Sequence, residues 1–297
     1  MKPRDVVIAV FVAVLWGVNF VVIKAGLAEL PPLLFSGLRF LVAAVPAVWL
    51  VRRPGVAWRW VVVVGLTLGV TKFGLVFLGM DAGMPAGLSS LVLQSQVIFT
   101  VVFAAVVLRE RPRRVQLLGM AIAAAGIVVI AFDYGLTSPL SALLMVVGAA
   151  AAWGLANVAT RYAKPPDALS FIVWVSAVAA GPLLVLSSVF EGPTRDLDAL
   201  AHITWSGVGA VAFIAWVSTL LGFGLWGYLL SRYDASTVVP FALLVPVAGM
   251  FSGVVLLHET VTPVRIGAAV LVIAGMAATT VRRRARVPVE VPERVGG

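Results

Sequence analysis

Long runs of uncharged, apolar residues divide the chain, and they constrain its fold more than any other feature. Residues 6–23, 82–108 and 203–231 contain no Asp, Glu, Lys or Arg. A helix crosses the hydrocarbon core of a bilayer, which is about 30 Å thick, with about 20 such residues. In the whole chain 61% of the residues are hydrophobic and 12% are charged, whereas about 25% are charged in soluble domains. The sequence therefore predicts an integral membrane protein and excludes the soluble, fibrous and disordered classes.

Stretches of this length predict an all-α membrane fold with ten transmembrane helices. The predicted spans are 6–26, 31–51, 57–80, 85–108, 113–132, 139–162, 168–190, 204–231, 235–257 and 262–281. The first is interpreted as an uncleaved helix, because its apolar run is longer than that of a signal peptide and no small-residue cleavage site accompanies it. Prolines inside spans two, seven and nine predict bends there. The segment 191–203 is predicted to be a long loop.

The Lys and Arg residues indicate how the spans are oriented. Nearly all of those outside the spans lie at the N-terminus, in alternate loops and in the tail, whereas the opposite loops carry only Arg195 and Arg265. Because cytoplasmic loops hold the excess of positive residues, both termini are predicted to be cytoplasmic. This orientation explains the surplus of 22 Lys and Arg over 13 Asp and Glu, and no nucleic-acid partner is predicted. Residues 282–297 are predicted to be a disordered basic tail beside anionic membrane lipid.

Short sequence echoes indicate that the chain is a duplicated unit of five helices. Trp16-Gly17 returns as Trp153-Gly154, Leu108-Arg109-Glu110 returns as Leu257-His258-Glu259, and Gly126 returns as Gly275. The last two echoes share one spacing along the chain. Because five is an odd number, the second unit enters the membrane with the opposite polarity. The sequence thus predicts two inverted five-helix repeats, at 4–132 and 139–281.

Three basic residues fall within the predicted spans, while every acidic residue falls in a loop or at a span end. A cation in the middle of a span costs about 2.5–3.5 kcal/mol on insertion scales, so each is a functional candidate. The rise of a helix places Arg39, Lys72, Asn19 and Gln94 in one layer of the outer half of the bilayer. We expect this layer to receive an anionic group such as an amino-acid carboxylate. The alternatives are snorkelling for Lys24 and Lys72, and for Arg39 a structural bond to helix-end carbonyls.

Aromatic residues and amides extend this layer. Tryptophans usually mark the membrane interfaces, yet Trp16, Trp153 and Trp226 fall well inside their spans. Together with the amides they predict an apolar pocket with a few polar anchors; the alternative is helix packing with an amide hydrogen bond worth about 1 kcal/mol. The candidate substrate-binding residues are Trp16, Asn19, Arg39, Lys72, Gln94, Trp153, Asn157, Trp174, Ser218 and Trp226.

Other kinds of site have little support in the sequence. There is no cysteine, and the two histidines lie in predicted loops, so no catalytic residue, metal or cofactor is predicted. No glycine-rich loop ending in Lys-Ser or Lys-Thr is present, which excludes ATP hydrolysis by this chain. Glu110 and Glu259 are interpreted as loop anchors paired with local bases. Spans five and ten, which are almost wholly aliphatic, are predicted to be packing helices or the interface of a homodimer.

Several motifs carry a resemblance to a known family. They are the repeated Trp-Gly, the Glu after spans four and nine, 17–24, Gly37-Leu38-Arg39-Phe40, 83–88, 91–94, 228–233 and 244–247. With them the chain resembles the EamA family of the drug/metabolite transporter superfamily, over residues 4–282. The resemblance implies ten helices in two inverted units and no enzyme activity. It also implies export of small amino-acid metabolites, of the cysteine or O-acetylserine kind, from the bacterial cytoplasm across the inner membrane.

Two other functions remain open on the sequence alone. A transporter of the same superfamily could export drugs or another metabolite, although embedded Lys and Arg without acids would repel cationic drugs. A passive channel is the second alternative. The expected mechanism is secondary transport by alternating access, with an amino acid or its derivative as the small-molecule partner.

Overall fold

The computed structural model describes residues 1–135 and 139–280, and the predicted tail at 282–297 lies outside these ranges. Eleven helices follow one another in the described residues. They are α1 Pro3–Gly26, α2 Pro32–Val48, α3 Trp58–Asp81, α4 Ala86–Val107, α5 Arg114–Gly135, α6 Leu140–Ala163, α7 Ala168–Phe190, α8 Pro193–Ala201, α9 Trp205–Arg232, α10 235–257 and α11 Pro263–Thr280.

Ten of these helices confirm the predicted spans. Eight are long and apolar enough to cross a membrane, and two shorter apolar helices, Pro32–Val48 and Pro263–Thr279, complete the set. The prediction of a plain loop at 191–203 is wrong, because α8 occupies most of it. Gly192 has a φ of 94° and Pro193 takes a first position of the helix. A glycine turn followed by a proline with a preset φ is enough to start a short helix between two spans.

Four of the spans depart from regular α-helix. α3 contains a π-helical segment at Gly65–Lys72 and α9 contains another at Phe213–Leu221, in corresponding places of the two repeats. α4 narrows to a 3₁₀ turn at Leu93–Ser95, and α10 does so at Val239–Leu243, around one of its two prolines. The prolines of spans two and seven disturb the α-helix less than the proline of α10 does. α2 ends two residues after Pro46, and α7 continues through Pro182.

Carboxylates of one repeat bind helix starts of the other at one end of the bundle, named here the Glu29 end because α1 finishes there. The pairs are Glu29 with Thr204, Glu191 with Leu33 and Leu34, and Glu259 with Ala86 and Gly87. The first N–H groups of a helix lack partners within it and carry partial positive charge, so a carboxylate stabilises them. The interpretation of Glu259 as an anchor for local bases is therefore wrong, since it binds backbone N–H groups from a distant part of the chain.

Contacts at the opposite end, named the Asp5 end, are of a different kind. The hydroxyl of Tyr233 donates to Asp5 at 2.6 Å, and Arg161 forms an ion pair with Glu110 at 2.6 Å. Asp167 caps its own helix, α7. A hydrogen bond from the Ser170 side chain, with further bonds from backbone N–H groups, holds the pKa of Asp167 below its usual value. Among the described residues, no carboxylate at the Asp5 end accepts a backbone N–H from the other repeat.

Candidate functional site

The two buried cations meet at one aromatic ring. Arg39 is 2% exposed and Lys72 is 5% exposed. The guanidinium carbon of Arg39 lies 3.9 Å from the ring centre of Phe73, and the ammonium nitrogen of Lys72 lies 3.2 Å from the same centre. Phe40 adds a second ring 4.8 Å from the guanidinium. A ring face attracts cations electrostatically, with an energy of up to about 2 kcal/mol when water is absent.

Arg39 has hydrogen-bonding capacity that the protein does not use. Its Nη2 donates to the hydroxyl of Thr219 at 2.8 Å, while Nε and Nη1 are buried without a partner. The bond goes to a hydroxyl of α9, so the alternative of helix-end carbonyls does not describe Arg39. It describes Lys24 instead, whose ammonium donates to the carbonyl of Met80 at 2.9 Å. Two unpaired donors on a buried cation cost free energy until an acceptor, best an anion, reaches them.

The π-helical segments place the polar groups of this site. Lys72 is the last residue of the segment in α3, and Ser218 and Thr219 lie within the segment in α9. The hydroxyl of Thr219 donates to the carbonyl of Ile214, five residues earlier, at 2.8 Å. Its only proton is therefore taken, and it accepts the Arg39 hydrogen bond with a lone pair. Single π turns of this kind are frequent at functional sites.

Tryptophans line both sides of this group. The ring of Trp153 lies 4.7 Å from the ammonium of Lys72. On the other side, the indole of Trp16 donates to the carbonyl of Ser218 at 3.1 Å and its ring is 5.3 Å from that of Trp226. Because Ser218 is the neighbour of Thr219, this second group continues the first. The structure thus brings Arg39, Lys72 and Trp153 together, and it joins Trp16, Ser218 and Trp226 to them through α9.

Three other predicted residues make separate contacts or none among the described residues. Asn19 is 6% exposed and its Oδ1 has no partner. Gln94 donates to the carbonyl of Ala242 at 3.4 Å, where α4 meets α10. Asn157 donates to the side chain of Gln96 at 2.7 Å and so bonds α6 to α4.

Trp174 lies apart from the buried cations. Its indole donates to the carbonyl of Arg52 at 3.0 Å and its ring meets the edge of Trp58, at the Asp5 end. These contacts are those of an interfacial tryptophan, with an apolar body and a polar handle.

Two residues of the site were not predicted. Phe73 and Thr219 complete the surroundings of Arg39, and each adjoins a residue that the sequence did single out, Lys72 or Ser218. A Ser-Thr pair in the middle of an apolar span is a usable signal. A phenylalanine in such a span is not, because apolar residues fill it on all sides. In the described ranges no group of three or more His, Asp or Glu side chains converges as metal ligands would.

Comparison with known proteins gives matches over nearly the whole chain. The model of the EamA-like transporter family matches residues 4–132 and 140–281. A probable amino-acid metabolite efflux pump of Salmonella typhimurium is 40% identical, over 97% of this chain and 99% of its own. A protein of the same description from Escherichia coli is 36% identical, over 93% and 94%. A solved crystal structure matches with a TM-score of 0.63 at 20% identity, over 94% of this chain and 98% of its own.

Proposed function

The chain belongs to the EamA-like transporter family, and from that premise we propose that it exports small amino-acid metabolites, of the cysteine or O-acetylserine kind, by alternating access. The names of the two relatives support the substrate class. The observation that carries the proposal is the buried guanidinium of Arg39 beside Lys72, with Nε and Nη1 lacking a partner. Among the described residues no acidic side chain forms an ion pair with either cation. An anionic substrate group supplies what this site lacks.

The geometry favours a carboxylate as that group. Nε and Nη1 of Arg39 have no partner, and Nη2 keeps a second proton beside the one it gives to Thr219. That proton forms a parallel pair with the N–H of Nε or of Nη1, and such a pair binds the two oxygens of a carboxylate. Lys72 adds a second positive charge at the shared ring of Phe73. Trp16 and Trp153 provide apolar walls for the rest of a small solute. The free Oδ1 of Asn19 is an acceptor for its amino or amide N–H group.

The multi-pass chain is proposed to lie in the inner membrane of a bacterium, with the Asp5 end in the cytoplasm. Its five-helix repeats are proposed at 4–132 and 139–281. The support is the concentration of Lys and Arg at this end, which follows the positive-inside rule. In that orientation the three glutamate caps of the Glu29 end close the periplasmic side, and substrate reaches Arg39 from the cytoplasm. A cationic drug is disfavoured as substrate, because it would meet Arg39 and Lys72, and no acidic side chain among the described residues forms an ion pair with either of them.

The test is a binding and transport screen that separates the carboxylate from the rest of the solute. Purified protein is heated with serine, cysteine or O-acetylserine, and in parallel with their carboxamides, which keep the ammonium and lose the negative charge. We expect the acids to raise the melting temperature and to exchange across proteoliposomes with saturable kinetics. Equal stabilisation by the carboxamides, or binding of cationic dyes alone, would refute the carboxylate site. A flux that never saturates would instead support a channel.

A further inference from the structure

Glu110 and Glu259 occupy corresponding positions in the two repeats, and the backbone before each has the same local conformation. Each glutamate follows a residue in the left-handed conformation, Arg109 at φ 53° and His258 at φ 54°. The backbone N–H of each then donates to the carbonyl six residues before it, at 3.4 Å for Glu110 and 3.1 Å for Glu259. Since left-handed φ values are uncommon outside glycine, two matching instances show that α4 and α10 end in the same local structure.

The two carboxylates nevertheless have different partners. Glu259 accepts the N–H groups of Ala86 at 2.6 Å and Gly87 at 3.0 Å, which begin α4. The fit is close, because a Cβ on Gly253 would lie 2.5 Å from the Glu259 carboxylate. Glu110 is instead half exposed and binds only the side chain of Arg161 among the described residues.

The packing of α4 against α10 also differs between the two ends of the bundle. α4 buries every residue of 86–95 but only Ala104 of 96–107. α10 buries five residues between Val245 and Gly253, whereas Val239–Leu243 buries none. The two helices therefore pack tightly at the Glu29 end and separate beyond Gln94, towards the Asp5 end.

Another pair of helix contacts does not show this unevenness. A Cβ on Gly17 would lie 2.7 Å from the backbone nitrogen of Gly249, where α1 crosses α10. In the other repeat, a Cβ on Gly154 would lie 2.8 Å from the backbone nitrogen of Thr100, where α6 crosses α4. The α1–α10 and α6–α4 contacts are thus alike, and the difference between the repeats concerns how α4 and α10 meet each other.

We infer that Glu110 is a positioning residue that replaces Glu259 in the opposite conformation, where its carboxylate accepts the backbone N–H groups of residues 235 and 236 at the start of α10. The spacing that relates Glu110 to Glu259 also relates residue 86 to residue 235, so exchanging the repeats converts the observed contact into this one. Closing the Asp5 end then requires Glu110 to leave Arg161 while Glu259 leaves α4. The inference rests on the proposed alternating access, but not on any particular substrate.

Distances between paired spin labels test this directly, and the absence of cysteine from the chain makes the labelling specific. Labels at Val106 and Thr237 report the Asp5 end, and labels at Ala82 and Leu256 report the Glu29 end. Arg161→Gln frees the Glu110 carboxylate, so we expect the population with a short distance at the Asp5 end to grow at least fivefold. Glu110→Gln breaks the same ion pair but removes the carboxylate, so this population should disappear.

Arg161→Gln and Glu110→Gln are expected to change the short-distance population in opposite directions, and this distinguishes the inference from a simple ion pair. Glu259→Gln should act like Arg161→Gln and lengthen the distance at the Glu29 end. Asp167→Asn is the control, because Asp167 caps its own helix, α7, without joining the two repeats, and it should leave both distances unchanged. Shifts of the same sign for Glu110→Gln and Arg161→Gln, or no shift in any of the three variants, would overturn the inference. No substrate is added, so a failed transport screen counts against the proposed function alone.

Discussion

Replacing Arg39 by glutamine should make the empty protein more stable and the transporter inactive. A central Arg costs about 2.5–3.5 kcal/mol on membrane insertion scales. The rings of Phe40 and Phe73 return up to about 2 kcal/mol of this cost. Loss of the bond to Thr219 leaves no unpaired proton, because that hydroxyl already donates to Ile214. With the rings returning the full amount of about 2 kcal/mol, the balance is a gain of about 0.5–1.5 kcal/mol in the free energy of unfolding, which raises the melting temperature by about 1–3 °C.

The assay is thermal unfolding in detergent without substrate, followed by transport in proteoliposomes. Arg39→Gln should melt above the wild type and transport at least tenfold more slowly, while Arg39→Lys keeps the charge but loses the planar fork and should be intermediate in stability. Arg59→Gln is the matched control, because Arg59 also lies over an aromatic ring, that of Trp60 at 5.5 Å, but is exposed at the surface. It should change neither quantity. Transport within twofold of wild type in Arg39→Gln would refute the reasoning.

Two further predictions concern stability. Gly17→Ala places a methyl group 2.6 Å from Ala248 and against backbone, so we expect the free energy of unfolding to fall by about 1–3 kcal/mol. The methyl group of Gly209→Ala meets nothing within 4 Å, so this variant should gain up to about 1 kcal/mol in helix stability. Equal melting temperatures for the two variants would contradict this prediction. Asp167→Ala should cost about 1 kcal/mol at pH 7. Because the folded pKa of Asp167 is lowered, its contribution is present above the unfolded value of 3.8 and is lost as the pH falls below it. The melting curves of variant and wild type should therefore converge as the pH is lowered from 3.8 through the folded pKa.

The ten spans and the duplication were predictable because both are properties of the chain itself. An apolar run of sufficient length has to cross the membrane, and repeated motifs keep their spacing in any fold. The short helix α8 was missed because it is too polar to cross and too short to show a period. The caps on helix starts were missed for another reason. Which helix start faces Glu259 depends on how α4 and α10 meet, and no local pattern around Glu259 encodes that partner.

The buried cations were predictable from their cost, but their arrangement was not. Arg39 and Lys72 stand out in any apolar span because each charge needs compensation. That they share the ring of Phe73 depends on the direction in which each side chain leaves its helix. For Trp174 the sequence and the structure give different surroundings: it falls inside a predicted span, but the structure places it at the Asp5 end. Depth along a span can be counted from the sequence, whereas direction around the helix depends on local backbone geometry.

The matching π-helical segments of α3 and α9 contribute to that direction. Each extra residue accommodated in a π turn rotates everything beyond it by about 100° relative to a regular α-helix. Lys72 at the end of one segment and Thr219 inside the other are therefore held against Phe73 and Arg39 by a phase offset rather than by hydrophobic periodicity alone. If either segment closed into regular α-helix with no residue removed, everything beyond it would turn by about 100°, whereas a one-residue deletion that takes out the extra residue would leave that direction nearly unchanged. An insertion or deletion of one residue in these two segments is thus expected to be absorbed by gaining or losing a π turn, so that both the membrane topology and the direction of the helix beyond the segment persist.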